Sequence, residues 1–178
     1  MNNPAPSPSC PADYRIGFPR PMCFLLLTRF SSSSMNANQK VVESYLAAFR
    51  RLDLDGLMRH FAEHGVYLNL LPGPFASPLG GVHGRDHIRQ VFQPVLGALV
   101  RNDYINARTY TTPDDDELVL VENTCDMEFP NGTVYRGFVL YRFEVVDGKI
   151  QKLTELVTDP QQQLAAWQLG QPGFELRG

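Results

Sequence analysis

An α+β domain, in which three helices come first and an antiparallel sheet follows that they must cover, is the fold class this sequence predicts. Two observations carry the prediction. Apolar residues recur at helical spacing through Val95 and then alternate with a period of 2 from about residue 103. The second half also contains Asn131-Gly132 and Asp147-Gly148, strong signals for two-residue hairpins whose central positions both need positive φ. A length of 178 residues, 43% of them hydrophobic, fits one globular domain better than two.

The elements follow in order. Val41, Tyr45, Ala48, Phe49 and Leu52 share one helical stripe. Asp53 is placed to cap a second, shorter helix with Leu54, Leu57, Met58 and Phe61 on one face. Val66 to Leu71 reads as a strand, ended by Pro72-Gly73-Pro74 and a Gly/Pro-rich loop through Gly81. A third helix follows Gly84 through Ile88, Val91, Phe92 and Val95, and Pro94 is expected to kink or end it by removing a backbone donor. Strands are expected at about 103–112, 117–129, 133–146 and 149–158.

Residues 1–36 read as a disordered tail and 37–178 as the domain. The first 34 residues hold six of the 14 prolines and end in four serines, a composition that buries too little apolar surface to offset ordering. Met22 to Leu27 is apolar but short for a secretion signal, is followed by Arg29 and lacks a small-residue cleavage pattern. Met35, at the start of the first periodic segment, is a candidate alternative start. With 16 Lys and Arg against 19 Asp and Glu, the net charge of -3 provides no basic field for nucleic acid. No apolar run reaches the length of a membrane-spanning helix. Three scattered cysteines build neither a disulfide framework nor a Cys-x-x-Cys metal site, and a reducing cytoplasm fits them best.

Two-residue turns at both hairpins would set Asn123, Leu140 and Glu155 in one row across three strands, beside Cys125, Phe138 and Val157 and then Met127, Arg136 and Asp159. The opposite parity of the first of these strands is Glu122, Thr124, Asp126 and Glu128, plainly solvated, so the row with Glu155 is expected to point inward. A carboxylate among Leu140, Leu153 and Val157 is the main chemical signal here. It has three readings: a pocket acid or base, a structural carboxylate bonded to a helix, or an exposed group if the register slips by one. Burial would raise its pKa towards neutrality, where proton transfer is useful.

Other candidates are weaker. Tyr45, Asn69 and Asn123 have inward parity and serve either as ligand contacts or as satisfied interior groups. Tyr67, Phe92, Cys125, Met127, Phe138 and Leu140 would line the pocket. Cys125 reads as a small buried hydrophobe. His60 and His64 lie four apart on the second helix and its end, with no carboxylate to complete a facial set, so no metal is expected. Arg136 and Asp159 form either a rim ion pair or a substrate clamp. The alternate face with Tyr135, Val139, Tyr141 and Phe143 reads as a homodimer surface on the outside of the sheet.

The segments Val41 to Phe49, Leu52 to Leu57, Phe61-Ala62 and Gly84-Arg85-Asp86-His87-Ile88 resemble the opening of SnoaL-like, nuclear transport factor 2-like and ketosteroid-isomerase-like proteins. The resemblance covers about residues 37–169 and implies a cone-shaped curved sheet wrapped around the helices with an internal pocket. Tyr45 falls where ketosteroid isomerases keep their oxyanion-hole tyrosine, whereas their two catalytic aspartates correspond to Asn69 and Leu140, so a steroid isomerase is not implied. The end of the chain, from Lys149 through Glu155 to Gly170, is similar to phenazine-biosynthesis A/B proteins, in which a glutamate on the last strand is the acid/base. Glu155 matches that glutamate, while their helix-3 histidine and serine are replaced by Val91 and Val95.

Together these features lead to an expected cofactor-independent isomerase or cyclase. Glu155 would move a proton on a small hydrophobic carbonyl-bearing metabolite, with Tyr45, Asn69 and Asn123 orienting it. Two rivals share the fold: a binding protein without turnover, and a dimeric interaction module, which a small or filled pocket would favour.

Overall fold

The computed structural model describes residues 35–70, 77–78, 80–112 and 115–171. The expected disordered tail and the Pro72-Gly73-Pro74 turn lie outside them. The elements run α1 (Ala37–Arg50), α2 (Leu54–His60), β1 (Phe61–Asn69), β2 (Val82–His83), α3 (Arg85–Gly97), β3 (Arg101–Thr112), β4 (Asp115–Glu128), β5 (Val134–Val146), β6 (Lys149–Val157) and α4 (Pro160–Gly170).

Local chemistry sets the helix ends. Asn36 and Gln39 form a reciprocal capping box at the start of α1, and the Asp53 carboxylate accepts from the Gly56 N–H at 2.8 Å to start α2. The α1 stripe of Val42, Tyr45, Leu46, Ala48 and Phe49 is buried against β3, β4 and β5. α3 packs on β1 and runs through the exposed Pro94 to Gly97, so the proline does not end it. α2 is shorter than its apolar spacing implied: Phe61 already begins β1, His60 closes the helix and His64 is on the strand. The helical four-residue spacing of that histidine pair is therefore lost. None of the described helices is long and apolar enough to cross a membrane.

The six strands form one curled sheet in the order β2-β1-β6-β5-β4-β3, antiparallel throughout except that β1 runs parallel to β6. A bulge in β3 between Ile105 and Arg108, with Asn106 at φ 56°, interrupts its pairing, and such bulges sharpen the bend of a sheet.

Register is where the structure departs from expectation. At the first hairpin Gly132 N–H donates to the Phe129 carbonyl and Phe129 N–H to the Thr133 carbonyl, both at 2.9 Å, with positive φ only at Gly132. Pro130 and Asn131 are thus the central turn residues, followed by a left-handed glycine. That extra residue pairs Asn123 with Val139 and shifts β5 by one. A one-residue shift turns a whole strand over. Tyr135, Val139, Tyr141 and Phe143 consequently point inward and are at most 1% exposed, so they are core and not a dimer surface. Phe138, 43% exposed, and half-buried Leu140 lie on the outer face and do not line the pocket.

The second hairpin does have the expected turn, with Asp147 and Gly148 both at positive φ, but a bulge beyond Glu144 pairs Tyr141 with Glu155. The two one-residue shifts together return β6 to the parity expected relative to β4. Arg136 pairs with Asp126, its Nε donating at 3.1 Å, and Asp159 instead caps α4 through the Gln162 N–H at 3.0 Å. Neither rim pair nor clamp forms between Arg136 and Asp159.

α4 was not foreseen. It packs against β5, with Trp167 edge-on to Phe129 at 5.0 Å between ring centroids. Gly170 closes the helix against the same ring, where an added Cβ would fall 2.2 Å from Phe129 Cγ. Gly170→Ala should therefore lower stability by about 1–3 kcal/mol through forced displacement of helix or ring. Gly97→Ala, whose Cβ meets nothing within 4 Å, should be neutral or gain about 0.5–1 kcal/mol. Paired urea melts check this; equal effects at the two positions would contradict the close packing of α4.

Candidate active site

The parallel pairing of β1 with β6 places Asn69 beside Glu155, fastened by the Leu70 N–H donating to the Glu155 carbonyl at 2.9 Å. Tyr67, two residues back along β1, therefore shares the inner face with both. The Asn69 backbone is further held by Ser77, whose hydroxyl accepts from its N–H at 2.8 Å.

These positions create a short polar chain inside an apolar wall. The Asn69 amide donates to the Tyr67 oxygen at 3.2 Å, and the Tyr67 hydroxyl donates to Glu155 Oε2 at 2.7 Å. Oε1 of Glu155 accepts from no described group, and no described basic side chain pairs with the carboxylate. Leu153 and Val157 flank Glu155 on its own strand and are buried. Desolvation raises the Glu155 pKa, and the Tyr67 hydrogen bond opposes that rise in part. Burial and the nearby carboxylate push the Tyr67 phenol well above its ordinary value, so this hydroxyl stays a donor at neutral pH.

Phe49, Tyr67, Asn69 and Glu155 line one narrow cavity of about 40 Å³ with Val91, Phe92 and Val95 from α3, Met127 from β4, and Gln163 and Trp167 from α4. That is room for a few waters as it stands. Of the expected site residues, the structure brings together Glu155, Asn69, Tyr67, Phe92 and Met127. Tyr45 is fully buried among Phe49, Phe61 and Phe143 and does not line the cavity; its hydroxyl has no hydrogen-bond partner among the described residues. Asn123 is also outside the lining, its amide turned to the Val139 carbonyl at 3.4 Å. Cys125 is fully buried beside Asn102, and desolvation pushes its thiol up, which suits an interior hydrophobe rather than a nucleophile. Among the described residues no three His, Cys, Asp or Glu side chains converge as a metal site.

Gln163 and Trp167 were missed because α4 was missed. Asp159-Pro160, an N-cap residue followed by proline in the first turn, was the available signal for that helix.

The raised carboxyl pKa fixes a linkage with pH. Folded Glu155 keeps its proton to higher pH than the unfolded chain does, so stability is lost as pH rises from the ordinary glutamate range through the folded midpoint. Glu155→Gln removes that dependence and still accepts from Tyr67. Thermal melts should show the variant gaining on the wild type as pH rises from mildly acidic to mildly alkaline. A wild type that becomes relatively more stable over the same range would contradict it.

Comparison with known proteins agrees with this architecture. A polyketide cyclase, so named provisionally, from Xanthomonas campestris pv. campestris is 21% identical with TM-score 0.61, over 74% of this chain and 96% of that one. A phenazine biosynthesis-related protein from Pseudomonas aeruginosa is 23% identical with TM-score 0.59, over 80% and 87%. TerC, co-crystallised with polyporic acid, is 17% identical with TM-score 0.60, over 74% and 98%. Comparison with curated proteins gives no match. At these identities the structural likeness establishes the fold, and the sequence profile of the SnoaL-like domain matches residues 42–153; the chain belongs to the SnoaL-like family.

Proposed function

We propose that this protein is a cofactor-independent isomerase or cyclase that transfers a proton on a small carbonyl-bearing metabolite. The observation that carries the reading is a buried carboxyl without a cationic partner, facing an apolar cavity and held by one phenol. A structural carboxylate would be paired with a cation or fully hydrogen-bonded. The cyclase and phenazine-biosynthesis names of structural relatives support the same class of chemistry.

In this mechanism the Glu155 carboxylate takes a proton from the carbon next to the substrate carbonyl. The C–H electron pair moves into the new C=C bond and the carbonyl π pair onto oxygen, giving an enolate. Once Glu155 is protonated, the Tyr67 hydroxyl is free to donate to the enolate oxygen, with Asn69 holding the phenol in place. Returning the proton to a different carbon of the conjugated system isomerises the substrate. Attack of the enolate carbon on a second carbonyl of the same molecule, whose oxygen then takes the proton, closes a ring.

A second reading is small-molecule binding without turnover, whereas the narrowness of the cavity favours the dimeric interaction module. Self-association is also part of the proposal, now through the outer face, where Leu140 and Leu156 are direct cross-strand partners beside exposed Phe138.

Exchange of α-protons in D₂O, followed by NMR on a panel of conjugated ketones, separates the readings. Wild-type protein should accelerate exchange, and Glu155→Gln should lower the rate about 100-fold or more while remaining folded. Tyr67→Phe should lower it less, because the base survives. Full exchange by folded Glu155→Gln would end the acid–base reading, and ligand binding without any exchange would favour the second.

A further inference from the structure

Gln163 presents a chemical problem that the acid–base mechanism does not use. It stands on the fourth residue of α4, one helical turn before Trp167, and both side chains line the cavity that holds Glu155. Only 5% of Gln163 is exposed, and its Oε1 is buried without a hydrogen-bond partner among the described residues. No other described group bonds its amide nitrogen. Buried carboxamides are almost always bonded, because each unmade hydrogen bond leaves the full desolvation cost in place. A leucine or methionine here would sit with Trp167 in the apolar cavity wall without that cost. Asn69, the other amide in the lining, is by contrast tied to Tyr67.

The walls define what a partner for this amide must look like. Phe92 lies edge-on to Tyr67 at 4.9 Å and to Phe49 at 5.7 Å between ring centroids, with Val91, Val95, Met127 and Trp167 completing an apolar slot. Aromatic edges and a narrow gap suit a flat, conjugated molecule. A buried, unbonded acceptor on a residue that lines such a slot suits a hydroxyl on that molecule.

We infer that Gln163 is a specificity-determining residue whose carboxamide oxygen accepts a hydrogen bond from a hydroxyl on a flat, conjugated ketone bound in the Glu155 cavity. The substrate class is thereby narrowed from any carbonyl metabolite to a hydroxylated aryl or polyenyl ketone. This rests on the acid–base reading for the ketone but not for the hydroxyl, because Gln163 takes no part in proton transfer. A site built to bond a hydroxyl rejects the analogue lacking it, since the protein acceptor is then left buried and unpaired.

The test is a binding measurement, so that it stands apart from turnover. Isothermal titration calorimetry compares 4-hydroxyacetophenone with acetophenone on wild-type protein, on Gln163→Met and on Glu155→Gln. Wild type should prefer the hydroxylated ketone by at least about tenfold, and Gln163→Met should bind the two ketones about equally. Gln163→Met should also melt at the same temperature as wild type or higher. Glu155→Gln should keep the preference even if it has lost all proton exchange. If Glu155→Gln exchanges protons at the full rate but Gln163→Met abolishes discrimination, the mechanism fails and this inference stands. Discrimination that survives Gln163→Met, a large drop in its melting temperature, or no binding of 4-hydroxyacetophenone by wild type at millimolar concentration would each overturn it.

Discussion

The contact on which the site depends is the hydrogen bond from Tyr67 to Glu155, made in a wall that, apart from Asn69 and Gln163, is otherwise apolar. It joins two strands far apart in sequence, β1 and β6, and it forms because their parallel register sets Asn69 against Glu155. A single neutral donor is a weak counterpart for a buried carboxylate. Desolvation therefore wins, and the carboxyl is held above its ordinary range without a cation to pull it back. A paired arginine at this position would stabilise the carboxylate and lower its pKa, making it a weaker base.

The rest of the fold positions that contact. α1 fills the concave side of β3, β4 and β5 with Tyr45 and Phe49, α3 contributes Phe92, and α4 adds Gln163 and Trp167. Tyr45 illustrates the difference between being near a charge and serving it. Its phenol is pushed up by burial first and by Glu155 second, yet it makes no hydrogen bond to the carboxylate. The tyrosine that does so is Tyr67, on the strand rather than the helix.

What was legible in the sequence follows the strength of local signals. Alternation in β4 separated Asn123, Cys125 and Met127 from the polar set Glu122, Thr124, Asp126 and Glu128, and that alone pointed Glu155 inward once β6 was registered. Asp126 is itself buried rather than solvated and accepts from Arg101 and Arg136. β5 did carry a contrast, which the turn signal outweighed. Tyr135, Val139, Tyr141 and Phe143 share their parity with Val145, whereas Phe138 and Leu140 share theirs with Arg136, Arg142 and Glu144. Asn131-Gly132 pointed to a two-residue turn, whereas Pro130, with φ already suited to a turn's first central position, draws the turn back by one residue. The bulge after Glu144 then shifted the next pair by one and restored the parity of Glu155. Phe138 and Leu140 were misplaced for this reason, and the carboxylate was not. α4 escaped notice because its buried face includes Gln163 and its apolar stripe is weak, so periodicity marked it poorly.

The account requires that Glu155 be a desolvated carboxyl whose proton is held by burial and partly released by Tyr67. Selective ¹³C labelling of glutamate carboxyls, with the Glu155 resonance assigned by its loss in Glu155→Gln, reads this directly in an NMR titration. The midpoint should lie above the ordinary glutamate range in wild type and move higher still in Tyr67→Phe, where the opposing hydrogen bond is gone. A midpoint within or below the ordinary range, or one that falls in Tyr67→Phe, would contradict the account.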